Sequence, residues 1–508
     1  MTEAGLLTGV DWIVLAGYLA LVVGGGVWLA RAPKDSRDFF VGHGQMPGWA
    51  VALSVLASAL SVATYLGAPA EAYKGNLTYL ISNLGAFAAV LVVAWVFVPA
   101  FYRYQVVTVY QVLEHRFGPP AAVAASWTFL VGRTLASGVR LYFAVIPVGL
   151  MLGAGDHPGM LCAAIAGLAT VAVLYALIGG IASIIWTDVV QFAVMIVAVL
   201  AAVVVLWVNL PVDAATAWQV VSTPAPQGAD KLVWLDWSFD LSHENTLWTA
   251  LSGYLLLNLA AYGTDQDLAQ RMLTCRNAVA GGRSALGAIL MNLPVVALFM
   301  LVGVLLFVFF RVTPAGAIIP EDQAPAAKDA FTHFILTTMP SGLRGLMLAG
   351  LFAIAFTSLL SAVNAMASAF ITDCYRRVVV GREDQHYLRA SRWAVVGAGA
   401  VVAGTAMLCI PWHRATGMNL LGFAFNAAVM TSSGLLGVFL CALLTKRGSW
   451  RTAIVALVAA FAVALALQPN WWPDDAALCH MAWPWRMVLA TVVSLAICCM
   501  GKPKVVNA

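Results

Sequence analysis

The chain has 508 residues, 62% of them hydrophobic and only 10% charged, with a formal net charge of +4. Soluble domains carry about 25% charged residues, so this composition excludes an ordinary soluble domain. Apolar runs of roughly 20 residues recur along the whole length and specify a polytopic, all-α membrane protein; the small basic excess reports orientation and gives no sign of a nucleic-acid partner.

Hydropathy predicts about thirteen spans. They fall near 8–30, 48–72, 78–101, 121–152, 160–180, 186–209, 245–264, 284–311, 342–371, 391–411, 418–443, 451–468 and 484–501. The N-terminal MTEAGLLTGVDW lacks the basic region of a signal peptide, so the first span is expected to be retained. RAPKDSRD, the basic ends of LEHRFG and LAQRMLTCR, CYRRVVVGRED, TKRGSWR and the tail GKPK share one side. The loops 210–243, 312–341 and 469–483 share the other. The positive-inside rule then puts the N-terminus outside and the C-terminus in the cytoplasm, across the plasma (inner) membrane. No stretch has the composition of a second soluble domain, and a chain acting as a monomer in the lipid bilayer is expected.

Span 48–72 carries Ser54, Ser58 and Ser61 on one helical face, then Thr64, Gly67 and Pro69. Two readings stand for that face: close helix–helix packing, or ligands for a cation. Gly67-Ala68-Pro69 and Gly75 predict that the outer end unwinds, which lipid tolerates only beside a cavity. In span 121–152, Arg133 and Arg140 are seven residues apart on one face. They pair with a carboxylate such as Glu71, or Arg140 presents a cation to an anionic solute. Asp188, in IIWTDVVQ, reads either as a helix N-cap or as a functional charge.

NLAAYGTDQD (258–267) interrupts a second span at Gly263, beside Asn258 and Tyr262. Interrupted spans at 48–72 and 245–264, each followed by four continuous ones, suggest inverted repeats with a site at the midplane. The expected organisation is an extra helix at 8–30, repeats at 48–209 and 245–443, and two further helices at 451–501. Within 351–370, Thr357, Ser361, Asn364 and Ser368 form a polar stripe, with Ser358 beside its first member. Polar stripes inside hydrocarbon mark ion or solute paths by default. The eight cysteines are scattered without a CxxC pair, and the eight histidines lie in loops or at span ends. A membrane metalloenzyme is therefore poorly supported, and no enzymatic activity is expected.

Six motifs in order carry a family resemblance: VGHGQMPGWAVALSVLASALSVATYLGAPAEAY, TVYQVLEHRFG, GGIASIIWTDVVQ, GTDQDLAQRML, GLMLAGLFAIAFTSLLSAVNAMASAFITD and GLLGVFLCALLTKR. The chain resembles the sodium/solute symporter family, whose LeuT-type core is built from five-plus-five inverted repeats. The resemblance implies broken first and sixth core helices and sodium as the co-transported ion. It assigns sodium to the carbonyls of Ala57, Leu60 and Ile354 and the hydroxyls of Thr357 and Ser358. A second ion path in some members matches Asp188, Thr357 and Ser361, but Leu360 replaces a serine found there, which favours one sodium per cycle. Solute-contacting positions match Thr64, Asn83, Arg140, Asn258, Tyr262 and Asn426, while Ala261 replaces the tyrosine that stacks on sugars. LGAPAEAY and NAMAS look nearer the monocarboxylate, iodide and vitamin branch. The implied function is sodium-coupled import of a small organic solute by alternating access, with a carboxylate-bearing anion among the candidates. The alternatives are a symporter for a neutral sugar or amino acid, and a transporter-like solute sensor.

Overall fold

A backbone inside hydrocarbon must satisfy its own polar groups, and this chain does so with helices. The computed structural model describes residues 7–29, 33, 35–42, 44–151, 157–224, 230–416, 420–468, 472 and 480–502. His43, Cys479 and most of the loop at 469–483 lie outside the described residues. Among the described residues the only β structure is one bridge, Val312 to Ile318.

Helices α1 (Gly9–Leu29) and α2 (Ser36–Val41) precede a bent pair, α3 (Gly48–Ala59) and α4 (Val62–Lys74). Next come α5 (Ser82–Val92) and α6 (Val98–Arg103), joined through a π segment, then α7 (Tyr110–Phe117) and α8 (Pro119–Met151). Helix α9 (Pro158–Val208) is two apolar helices joined without a loop, because Gly180 turns the chain at φ +58°. A Cβ there would sit 2.6 Å from the Phe39 carbonyl oxygen, so both the backbone angle and the space require glycine.

Helix α10 (Ala214–Ser222) lies in the long loop. The short α11 (Leu247–Thr249), a π segment (Ala250–Tyr254) and α12 (Leu255–Gly263) form one rod, followed by α13 (Gln266–Met272). The remainder is α14 (Ala278–Arg311), α15 (Ala327–Thr337), α16 (Leu343–Ala369) with a π segment at Phe370–Tyr375, and α17 (Arg376–Val378). Four more complete the chain: α18 (Asp384–Thr416), α19 (Leu420–Leu444), α20 (Trp450–Ala466) and α21 (Trp483–Cys499). Among the described residues, seven helices are long and apolar enough to cross a membrane, and the bent pair α3–α4 passes as an eighth.

Helix α16 is the hub and packs against α1, α3, α8, α9 and α18. The apolar window of Leu343–Val378 is 89% buried, against 33% for Pro158–Leu177. Its polar stripe therefore faces protein on every side. Asp11 of α1 fixes the start of α16 by accepting from the backbone N–H groups of Gly342 (2.7 Å) and Gly345 (2.9 Å). A carboxylate at a helix N-terminus is favoured by both the free donors and the dipole. Helix α4 packs on α14 over Gly303, where an added Cβ would strike the Pro69 carbonyl.

Candidate ion and solute site

The α3–α4 pair bends by 61°. The break falls at Leu60 (φ −69°, ψ 144°) and Ser61 (φ −135°, ψ 167°), both extended. This corrects the expectation that Gly67 and Pro69 end the helix: both lie inside α4. Proline removes a single N–H, whereas two consecutive extended residues displace several carbonyls from their donors. The N–H groups of Thr64 and Tyr65 both donate to the Ser61 oxygen, so the Leu60 carbonyl loses the helical donor it would take from Thr64. A carbonyl freed in this way needs a cation or another donor to be stable in a membrane.

Helix α16 presents hydroxyls to that break. Ser58 of α3 and Ser361 of α16 are hydrogen-bonded at 3.1 Å. Thr357 lies one turn before Ser361, and its hydroxyl donates in a close contact to Oε1 of Gln191 on α9. With its hydrogen so used, the Thr357 oxygen has lone pairs only to offer elsewhere. Ser358 borders a void of about 10 Å³ together with Val62, Ser137 and Arg140. Val62, just past the break, shares that void with Ser358, and Ser58 meets Ser361, so the break lies against the turn of α16 where the family resemblance assigns an ion to Ala57, Leu60, Ile354, Thr357 and Ser358. The donor set is all oxygen, the chemistry a hard monovalent cation takes.

The second break is different in kind. Helix α12 ends at Thr264, whose backbone leaves the helical region, and Asp265 caps α13 by accepting from the Asp267 N–H at 2.9 Å. Arg271, buried within α13, donates from Nη1 to Asp267 Oδ1 at 2.5 Å and from Nη2 to Asp188 Oδ2 at 3.1 Å. Its Nε reaches Ser54 Oγ at 2.8 Å, and its Nη2 closely contacts Ser361 Oγ. Ser54 also donates to Asp188 Oδ2 at 2.5 Å. Asp188 is therefore no helix N-cap: it lies inside α9, past the Gly180 turn, as the buried partner of an arginine. Arg133 pairs with Asp265 at 3.1 Å and closely with Asp267, not with Glu71. The second ion path suggested at Asp188 and Ser361 is a place where the guanidinium of Arg271 already stands.

Between the two breaks lies a cavity of about 330 Å³. Leu60, Thr64, Asn83, Arg140, Asn258 and Tyr262 line it, so six residues proposed from sequence come together on its wall. Asn426 is not on that wall; its side-chain oxygen accepts from Arg486 Nη1 of α21 at 3.1 Å. The Asn83 oxygen accepts from Asn292 Nδ2 at 2.8 Å, and Asn258 Nδ2 donates to the Tyr254 carbonyl at 2.8 Å. Arg140 forms no ion pair or hydrogen bond with another described residue. Glu71 and Glu244 line the end of the cavity near the 210–243 loop. Sequence reasoning missed Arg271, Asp265, Asp267 and Asn292. The first three sat in a quoted motif, GTDQDLAQRML, and buried charge inside an apolar chain was the signal available.

A helical membrane fold with two interrupted helices around a cavity that carries polar and charged side chains is the architecture of a secondary transporter. The profile of the sodium:solute symporter family matches residues 39–459, and the chain belongs to that family. It is a sodium-coupled symporter of small solutes. The sodium/sialic acid symporter NanT of Aliivibrio fischeri is 28% identical over 91% of this chain and 88% of its own length. The sodium-coupled monocarboxylate transporter 2 of Mus musculus is 27% identical over 88% of this chain and 70% of its own. A solved Na+-coupled sialic acid symporter in a substrate-bound outward-open state superposes with a TM-score of 0.82. It covers 98% of this chain and 99% of its own, at 22% identity, and so supports the LeuT-type fold.

Proposed function

We propose that the protein imports a small hydroxyl-bearing organic acid together with one sodium ion, and that Arg140 binds the carboxylate. The observation that carries this reading is the unpaired guanidinium of Arg140 on the cavity wall, beside an Arg133 whose two terminal nitrogens are taken by Asp265 and Asp267. Thr64, Asn83 and Asn258 surround the same space and offer hydrogen bonds to hydroxyl groups. Named relatives that carry acids, sialic acid and monocarboxylates, agree with this class.

Charge balance explains the coupling. Arg133, Arg140 and Arg271 balance Asp188, Asp265 and Asp267 around the second break, and Glu71 and Glu244 add carboxyl groups at one end of the cavity, so no fixed cation is left in excess for an anion. A carboxylate entering alone adds an uncompensated charge in a low-dielectric space. Sodium at Ala57, Leu60, Ile354, Thr357 and Ser358 cancels it, so each ligand raises the affinity of the other. Sodium also holds the end of α3 and the break against α16; its loss to the cytoplasm lets the break relax and release the solute. The cavity end at Glu71 and Glu244 faces outside, with the C-terminus in the cytoplasm, and one chain is the transporting unit.

This stoichiometry has an electrical consequence. One sodium and one monovalent anion carry no net charge, so a tenfold sodium gradient contributes about 1.4 kcal/mol and the membrane potential nothing. A neutral solute would add about 2.3 kcal/mol per 100 mV. Proteoliposome uptake of N-acetylneuraminate and of lactate, with and without an imposed potential, tests the reading. Sodium-stimulated, potential-independent uptake of an acid is expected from the native protein. Arg140→Gln should reduce it about 10- to 100-fold, the loss of a charge-assisted hydrogen bond, while a sodium-dependent thermal shift persists. Undiminished acid uptake by that variant overturns the assignment.

A further inference from the structure

Beyond the solute cavity, the described residues form a second large concavity. It is a groove of about 890 Å³ bounded by α8, the end of α16 with its π segment, and α18. Its floor is built from small residues of α18, Ala390, Ala394, Gly397 and Ala398, which recur on one helical face. Trp127, Phe370 and Trp393 form its rim and are exposed. Apart from Thr134, its polar side chains gather at one end. There the Tyr375 hydroxyl and His386 Nε2 are held together at 2.9 Å, and Arg389 stands at the mouth.

Arg389 is exposed, and its one hydrogen bond among the described residues is a long one, from Nε to the Gln385 carbonyl of its own helix at 3.5 Å. Neighbouring arginines are committed elsewhere: Arg377 to Glu114, and Arg376 to Ser36 and the face of Tyr387. The groove therefore has a long apolar trough, aromatic edges and, as the one arginine among its described lining residues, Arg389 at one end, the complement of an anionic amphiphile.

We propose that this groove is a binding site for one anionic phospholipid, its acyl chains along the α18 floor and its phosphate on Arg389. An acyl chain gains little apolar free energy by leaving bilayer hydrocarbon for a groove of the same polarity. Selection must then come from the headgroup, and a guanidinium with a phosphate supplies it. The CYRRVVVGRED side is the basic one, where an anionic leaflet meets the protein under the orientation proposed above. Occupancy braces the back of α16, the helix that carries Thr357 and Ser358, without entering the solute path.

Native mass spectrometry and thermal unfolding of the detergent-purified chain test the site. The probes are palmitoyl-oleoyl phosphatidylglycerol and the matching phosphatidylethanolamine. The native protein is expected to retain phosphatidylglycerol at least about tenfold more strongly and to melt at a higher temperature with it. Arg389→Gln should remove the headgroup preference. Gly397→Leu should exclude either lipid by filling the trough, and it is compatible with folding because a Cβ at Gly397 meets nothing within 4 Å. A sodium-dependent thermal shift in both variants shows that they are folded and separates this test from that of the solute site. Equal retention of the two lipids by the native protein overturns the proposal, as does undiminished phosphatidylglycerol binding by both variants.

Discussion

The two interrupted helices solve one problem in opposite ways. Both breaks release backbone groups in the interior of a membrane protein, where each unsatisfied group costs several kcal/mol. At Leu60–Ser61 the break lies beside the Ser58–Ser361 hydroxyl pair and carries no charged side chain of its own, although the guanidinium of Arg271 reaches Ser54 and Ser361 from α13. At Thr264–Asp265 the chain brings its own charges: Arg133 and Arg271 satisfy Asp188, Asp265 and Asp267. Under the proposed function the first break is completed by a cation from solution, which can leave again. The second is completed by guanidinium groups that cannot. An exchangeable ion suits a hinge, and fixed cations suit the floor it works against.

The strongest way to break this comparison is to remove the fixed cation. Arg271→Met leaves Asp188 buried without its ion-pair partner and Asp267 with Arg133 alone, and loss of one member of a buried pair costs about 3–5 kcal/mol. Near-complete loss of folded protein in a detergent thermal-unfolding assay is expected. Normal melting would show that the second break does not depend on its own charges.

A smaller effect is expected at the exchangeable site. Ser358→Ala should leave the melting temperature without sodium nearly unchanged and raise the sodium needed for half-maximal uptake by about tenfold, roughly the worth of one ligand. An unaltered sodium dependence would remove Ser358 from the ion's ligands.

Next comes a loop residue that braces the moving half of the first break. Lys231, in the 210–243 loop, is buried and donates from Nζ to the carbonyls of Ala72 (3.1 Å), Tyr73 (2.6 Å) and Gly75 (2.6 Å), over the ring of Phe307. It caps the carbonyls at the end of α4 that no helical N–H can reach. Burial, then the nearby charge of Arg311, pushes its pKa down from 10.5 to about 8, with Glu321 opposing. Between those two values the unfolded chain holds a proton on Lys231 that the folded chain lacks, so its contribution to stability rises with pH over that window. As pH falls through about 8, the cost of the buried charge appears in full. Lys231→Met should therefore flatten the melting temperature between pH 8 and 10.5. A slope identical to the native one would refute the role.

The smallest effect is expected from Pro69→Ala. Since Pro69 lies inside α4 and not at the break, the change should shift sodium dependence less than about twofold while modestly favouring the helix. A large shift would move the hinge back to where the sequence suggests it.

The sequence by itself determined the membrane class, the apolar helices, the family motifs and the polar stripe of α16. Hydropathy and residue spacing are local properties, and lipid leaves a chain little choice but to form helices. It also named six residues of the cavity wall, because hydroxyls, amides and an arginine within spans stand out against an apolar background. Only the tertiary structure decided where the first helix breaks. Gly67 and Pro69 look like breakers locally, but the interruption sits at Leu60–Ser61, opposite the α16 hydroxyls that can complete it. It also decided that Asp188 belongs to Arg271, 83 residues away in the chain, that Arg133 belongs to Asp265 and Asp267, and that Arg140 is left over. Asn426 was placed beside Arg486 by the same packing. A charge announces in sequence that it needs a partner; which partner it finds depends on helices that meet only when the chain is folded.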